Sequence, residues 1–370
     1  MSIASISAES SAVTDYRASV RASVRSLSQL ADYLVARGVD PAPFLTRAQG
    51  IALLPIRVPT YYLDLIDWSN PADPLLRQVL PDQDEHLIQT DEVVDPIGDD
   101  AHSPVPGIVH RYPDRVLLML TVACAVHCRF CFRREFIGQP MRALRPDHED
   151  AAYGYIADHP EIWEVILSGG DILTFPDAFI ARVLERLRSI DHVQIIRLHS
   201  RVPAVLPMRL TSRLAALLRK HGPTYLVAHV NHGREVTPAF VAAAGRLIDA
   251  GVPVLAQSVL MRGVNDSTQA LTDLFRKLVA ARVKPYYLHH PDLARGTGHF
   301  RVPIEEGQQL MRSLHGHISG LCLPTYVLDT PGGFGKIPLT GQYIHRRSNS
   351  RYDLVNHLNE RLEYCDTAGQ

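Results

Sequence analysis

Between residues 115 and 329 the chain alternates short, nearly continuous apolar runs with stretches of helical periodicity. The runs are VLLMLTV, EVILSGG, VQIIRLHS, TYLVAHVNH, VPVLAQSVLM, KPYYLHH and CLPTYVLD. Strands covered on both faces read this way, because a side chain meets apolar packing whichever way it points. Residues 179–187, 210–220, 238–250 and 268–281 between them read as helices; Thr237 and Pro238 supply an N-cap and a first-turn proline, and Gly251 a stop. At least six such βα units leave one broad architecture, an α/β fold whose parallel sheet curls into a full or partial barrel inside a layer of helices.

The polar residues in this span gather near the carboxyl ends of the apolar runs. They are a cysteine loop, Ser168 to Asp171, Ser200 and Arg201, His229 and Asn231, Gln257, His289 to Asp292, and Asp329. In α/β barrels that edge is where active sites assemble.

The cysteine loop is TVACAVHCRFCFRREFIG, residues 121–138, with Cys124, Cys128 and Cys131 in a CxxxCxxC array. The thiols could be small core hydrophobes, or a zinc knuckle completed by His127. Core cysteines need no fixed spacing, however, and a structural zinc site usually draws on two separated pairs of ligands. A four-iron cluster can take three cysteines and leave its fourth iron open for chemistry. With Phe130 directly before the third cysteine, the array resembles that of the radical S-adenosylmethionine (SAM) enzymes. The flanking HRYPDRVLLML and CRFCFRREFIG narrow the resemblance to the lysine 2,3-aminomutase family, over about residues 110–339.

That resemblance implies a partial (β/α)6-type radical SAM barrel with a 4Fe–4S cluster on Cys124, Cys128 and Cys131, and SAM bound through its amino and carboxylate groups at the open iron. It places SAM contacts on Ser168, Gly169, Gly170 and Asp171, and on His229 and Gln257. The SGGD turn alone reads as an ordinary βα turn whose glycines permit close approach of main chain to a ligand.

A second motif, DTPGGFGKIP at 329–338, sets a lysine in a glycine-rich loop directly after an apolar run. A phosphate-binding P-loop is excluded, since GxxxxGK[ST] would need glycine at Thr330 and a hydroxyl at Ile337. A lysine in an enclosed loop can lose its proton and form a Schiff base with pyridoxal phosphate (PLP). PGGFGK resembles the aminomutase PLP motif, which assigns that role to Lys336, and the family places phosphate contacts at Arg111 and Arg115, whose planar guanidinium groups suit phosphate. By the same resemblance Arg133 holds the substrate carboxylate, with Arg134 the weaker candidate, and Asp292 and Asp329 hold a distal ammonium. Two neighbouring carboxylates repel unless a cation lies between them, which a diamino acid supplies and glutamate does not.

The implied activity is an isomerase: PLP-dependent 1,2-amino migration begun by a 5′-deoxyadenosyl radical, with L-lysine becoming L-β-lysine. Homologous activity on arginine, ornithine or lysine carried by a translation factor remains open, as does a non-catalytic iron–sulfur or zinc scaffold. The family's zinc clip is in doubt, because Ser267 follows GVND where a cysteine is expected and only Cys365 lies near the end. His289, His290 and His299 lack metal-site spacing and read as pocket or core histidines.

A net charge of −1 gives no electrostatic case for nucleic acid or an anionic membrane. Five cysteines, three of them clustered, do not form a disulfide framework and point to a reducing cytoplasm. The apolar run 116–126 is too short to span a bilayer, and Glu9, Asp15 and the lack of an apolar core argue against an export signal at the start. The expected organisation is a mostly helical covering domain (1–100), the barrel with its PLP loop (101–340) and a short C-terminal extension (341–370). Within the first, 82–100 is acidic and reads as a solvated linker without chemistry. The expected partners are an amino acid, an electron donor such as flavodoxin or ferredoxin, and further copies of the chain.

Overall fold

In the computed structural model, described here for residues 16–50, 54–137, 144–341, 343–348 and 350–366, a nine-stranded sheet runs in chain order from β1 to β9. β2 (Arg115–Leu118), β3 (Glu164–Leu167), β4 (Ile195–Ser200), β5 (Thr224–His229), β6 (Val254–Val259), β7 (Lys284–His289) and β8 (Thr325–Asp329) pair in parallel. Antiparallel strands flank them, β1 (Ile108–Tyr112) on β2 and β9 (Lys336–Pro338) on β8. The sheet's two edges approach each other, the backbone N–H of Lys336 donating to the Tyr112 hydroxyl at 2.9 Å. The barrel is thus curled but partial.

Helices Pro146–Ala157, Asp177–Arg188, Ser212–Lys220, Pro238–Asp249, Thr268–Ala280 and Ile304–Leu314 separate consecutive parallel strands. Thr237 caps its helix as expected, accepting from the N–H of Phe240, with Pro238 in the first turn. Gly251 follows at φ +86, the left-handed conformation that glycine adopts without a steric cost. Strand cores are nearly dry: Val165, Leu167, Ile196, Leu198, Leu226 and Val227 are wholly buried. Among the described residues no helix is long and apolar enough to cross a membrane.

HRYPDR leads into the first parallel strand through the turn of the β1–β2 hairpin, with Tyr112 opposite Arg115. Sequence reasoning missed two features. The C-terminal extension is a separate antiparallel sheet of β10 (Ile344–Arg346), β11 (Arg351–Val355) and β12 (Arg361–Cys365). The acidic segment 82–100 is no solvated linker. Glu85 is fully buried between Arg129 and Arg134, Glu92 accepts from the N–H of Gly296 at 2.8 Å and pairs with Arg301, and Asp99 is 5% exposed. Unpaired, such groups would pay a heavy desolvation cost; arginines distant in sequence compensate it.

The N-terminal helices share one continuous hydrophobic core with the barrel, from Val24 through Tyr62 and Val79 to Tyr326. Polar contacts reinforce the seam: Tyr62 donates to Glu235 and Tyr61 shares a hydrogen bond with Thr237, both at 2.7 Å.

Candidate functional site

The cysteine loop after β2 is fixed from two sides. Gly170 N–H donates to the Thr121 carbonyl at 2.7 Å and Asp171 N–H to that of Ala123 at 2.9 Å, joining the SGGD turn to the start of the loop. A Cβ on Gly170 would lie 2.6 Å from the Ala123 oxygen, so only glycine allows this approach. From the other side, the N–H groups of His127 and Arg129 donate to the carbonyls of Arg57 and Gln78, both at 2.9 Å. The Arg129 side chain donates to Glu85 and to the Leu54 carbonyl, and Arg134 donates to Glu85 and to the Gly296 carbonyl.

Every residue expected in the site lines one cavity: the three cysteines, Ser168 to Asp171, His229, Gln257, Arg111, Arg115, Arg133, Asp292, Asp329 and Lys336. Burial raises all three thiols, Cys128 to about 12 despite the pull of Arg201. Metal binding therefore displaces protons from them. Among the described residues no three His, Cys, Asp or Glu gather closely enough for a single metal ion. His127 is instead bonded through Nδ1 to the Pro55 carbonyl at 2.8 Å. Cys322 is buried and Cys365 lies exposed on β12; Ser267 caps the next helix by accepting from Ala270 N–H.

The Asp171 side chain is held by neighbouring protein groups. Its carboxylate accepts from the Ser200 hydroxyl and from the N–H groups of Leu173, Arg201 and Val202, at 2.8–3.2 Å. That side chain ties the β3 and β4 loops together, and what the turn can offer a ligand is main chain and Ser168. His229 and Gln257 stand opposite each other at the ends of β5 and β6. His229 bonds Asn231 at 3.1 Å and packs 5.3 Å from the Phe130 ring. Burial, with Arg201 nearby, keeps its imidazole neutral.

At the other end, Lys336 Nζ lies 2.7 Å from Asp329 Oδ1, and His289 Nδ1 lies 3.2 Å from Oδ2. Burial opposes ionisation of Asp329, but these partners hold it well below the usual carboxylate range. Burial pushes Asp292 up to about 8; Asp329 adds to the rise, and Lys336 and Arg133 restrain it. Arg115 pairs with Asp114 and stacks 3.8 Å over the Tyr112 ring. Arg134 is buried, pairs with Glu85 and is not part of the cavity lining, whereas Arg133 lines the cavity.

Residues overlooked in the sequence also face this space: Asp99, Arg197, His199, Tyr286 and Tyr287. Arg197 and His199 stand two apart on β4, so the strand's period of two would have placed both on the inward face once one was assigned. Six buried polar atoms of the lining lack a hydrogen-bond partner among the described residues: Arg111 Nε, Arg197 Nε, His199 Nε2, Arg201 Nε, His289 Nε2 and Asp292 Oδ1. Buried polar atoms are rarely left unpaired, so the cavity is built for a polar, multiply charged occupant. Three convergent thiols, a glycine turn, a lysine and two arginines fit a cluster, SAM and PLP together.

Comparison with known proteins agrees. Residues 118–275 match the profile described as the radical SAM superfamily, and 311–360 that described as lysine-2,3-aminomutase. The chain is 41% identical to an L-lysine 2,3-aminomutase of Clostridium subterminale over 342 residues, 92% of this chain and 82% of that one. It is 44% identical to an L-lysine 2,3-aminomutase of Fusobacterium nucleatum, over 82% of this chain and 71% of its relative. A glutamate 2,3-aminomutase of Clostridioides difficile is 37% identical, over 77% of this chain and 67% of its own length.

Proposed function

The chain belongs to the lysine 2,3-aminomutase family of radical SAM enzymes, and on that premise we propose that it moves the α-amino group of L-lysine to the adjacent carbon, giving L-β-lysine. The observation that carries the substrate is the charge pattern of the cavity, in which Arg133 faces the same space as Asp292 and Asp329. Lys336 already holds a primary ammonium against Asp329, the chemical group that the far end of lysine would present. A second carboxylate on the substrate, as in glutamate, would meet two aspartates instead and be repelled.

When bound, the cluster and SAM supply a carbon radical that removes a hydrogen atom, and PLP supplies a carbonyl for the migrating nitrogen. Cys124, Cys128 and Cys131 would hold the cluster, and the Ser168–Gly170 turn, His229 and Gln257 would hold SAM. Lys336 would bond the PLP carbonyl, with Arg111 and Arg115 toward its phosphate. Arg133 orients the substrate by its carboxylate. Burial favours the protonated form of Asp292 at neutral pH, and an arriving ammonium favours its ionisation. Phe130, Phe132, Ile137, Val259 and Met261 supply an apolar wall that limits water. A one-electron donor, flavodoxin or ferredoxin, completes the system, and copies of the chain associate.

The test is an anaerobic panel of L-lysine, L-ornithine, L-arginine, L-glutamate and a lysine-bearing translation factor, each scored for kcat/KM by mass spectrometry of the product. Lysine is expected to lead. A higher value for glutamate or the protein substrate overturns the assignment.

A further inference from the structure

The acidic segment that looked like a linker reaches the centre of the site through one residue. Asp99 accepts from Arg111 Nη2 through Oδ1 at 2.8 Å and from Arg133 Nε through Oδ2 at 2.7 Å. All three residues line the cavity. We propose that Asp99 is a positioning residue that joins the arginine facing the cofactor phosphate to the arginine facing the substrate carboxylate, and so sets the distance between the two anions. The proposal rests on the functional reading above.

Two guanidinium groups brought together repel, and a carboxylate that gives each its own oxygen fixes both their spacing and their planes. Asp99 is itself held in place. Its N–H donates to Asp95 at 2.9 Å, and its carbonyl accepts from the Ser103 hydroxyl at 2.8 Å and from His102 N–H at 3.2 Å. Gly98, at φ +68, packs so tightly on the Lys336 loop that a Cβ there would lie 2.7 Å from the Gly332 carbonyl carbon. Arg111 is tied to the same segment through the Ile97 carbonyl at 2.8 Å. The segment at 95–103, β1, the cysteine loop and the lysine loop are therefore linked through one carboxylate and one glycine contact. Burial opposes ionisation of Asp99, but Arg133 and Arg111 keep it charged.

Asp99→Asn keeps the shape but turns an amide N–H₂ toward one of two arginines that can only donate. In the iron-loaded enzyme, PLP affinity is read by absorbance titration, and KM and kcat for L-lysine are measured separately. Losing one charge-assisted hydrogen bond predicts at least about tenfold weaker PLP binding and at least about a tenfold higher KM, with a smaller change in kcat and unchanged iron content. Asp99→Glu, which keeps the charge but shifts it, is expected to regain PLP affinity to within about threefold while KM stays raised by about threefold or more. A folded Asp99→Asn with wild-type PLP affinity and KM overturns the proposal; should that variant not fold, a wild-type KM in Asp99→Glu does so. Failure of the wild-type enzyme to bind PLP or isomerise lysine instead overturns the functional reading.

Discussion

Asp292→Asn separates the substrate-binding account from a purely structural one, because its effects on activity and stability run in opposite directions. Burial first, and then Asp329, push the Asp292 carboxyl up to about 8. At pH 7 such a group is roughly nine-tenths protonated, and ionising it to receive an ammonium costs about 1.4 kcal/mol. Breaking a buried carboxylate–ammonium pair costs about 2–5 kcal/mol. The variant removes both effects, so kcat/KM for L-lysine at pH 7 falls by about 1–4 kcal/mol, roughly five- to a thousandfold. At pH 9 the wild-type carboxylate is already ionised, and the ratio of wild type to variant widens by about tenfold. Stability follows the other sign. The folded pKa lies above the ordinary value of 3.8, so Asp292's contribution is full below that pH and is lost as pH rises through about 8. The uncharged asparagine is spared that loss, and the variant should melt at a higher temperature than wild type at pH 8–9. Steady-state kinetics from pH 7 to 9 with parallel thermal melts test both halves. A ratio that stays flat with pH, or undiminished lysine turnover in the variant, refutes the reasoning.

Lys336→Ala should bind iron and SAM as wild type does but lose the visible absorbance of PLP bonded to protein and at least about 10³-fold in turnover, given that the bond is obligatory; a variant with residual lysine turnover near wild type removes Lys336 from its role. Gly170→Ala forces a Cβ into the Thr121–Ala123 backbone. Because that contact seats the cysteine loop, the variant should load less than half the iron per chain, by about a factor of two or more, while retaining the wild-type far-ultraviolet circular dichroism. Full iron loading would show that the turn does not hold the loop.

The parallel strands were legible because burial on both faces leaves a continuous apolar run, as in EVIL of β3 and TYLVAH of β5. Thr237-Pro238 and Gly251 marked helix ends because capping and positive φ are local chemistry. The C-terminal sheet was hidden for the converse reason: IHR and RLEYC are exposed throughout, so no burial pattern marks them as strands. Segment 82–100 misled for a different one. Asp99, Glu85 and Glu92 carry the same letters as solvated acids, and only the fold brings Arg111 and Arg133, Arg129 and Arg134, and Arg301 to them. The cysteine array and PGGFGK motif named residues that the structure gathers in one cavity. The motif does not say that the Asp171 side chain is held by Ser200 and three backbone N–H groups. His199 was within reach of strand periodicity from Arg197, but nothing in the sequence says that its Nε2 is left without a partner.

The central claim is that one cavity couples SAM cleavage to amino migration on lysine. Protein reconstituted anaerobically with iron, sulfide and PLP, then given reductant, SAM and L-lysine, is followed by mass spectrometry for β-lysine and 5′-deoxyadenosine together. The account predicts β-lysine in large excess over deoxyadenosine, because the radical is returned after each turnover. Stoichiometric deoxyadenosine without β-lysine, from protein carrying a full cluster and PLP, would contradict it.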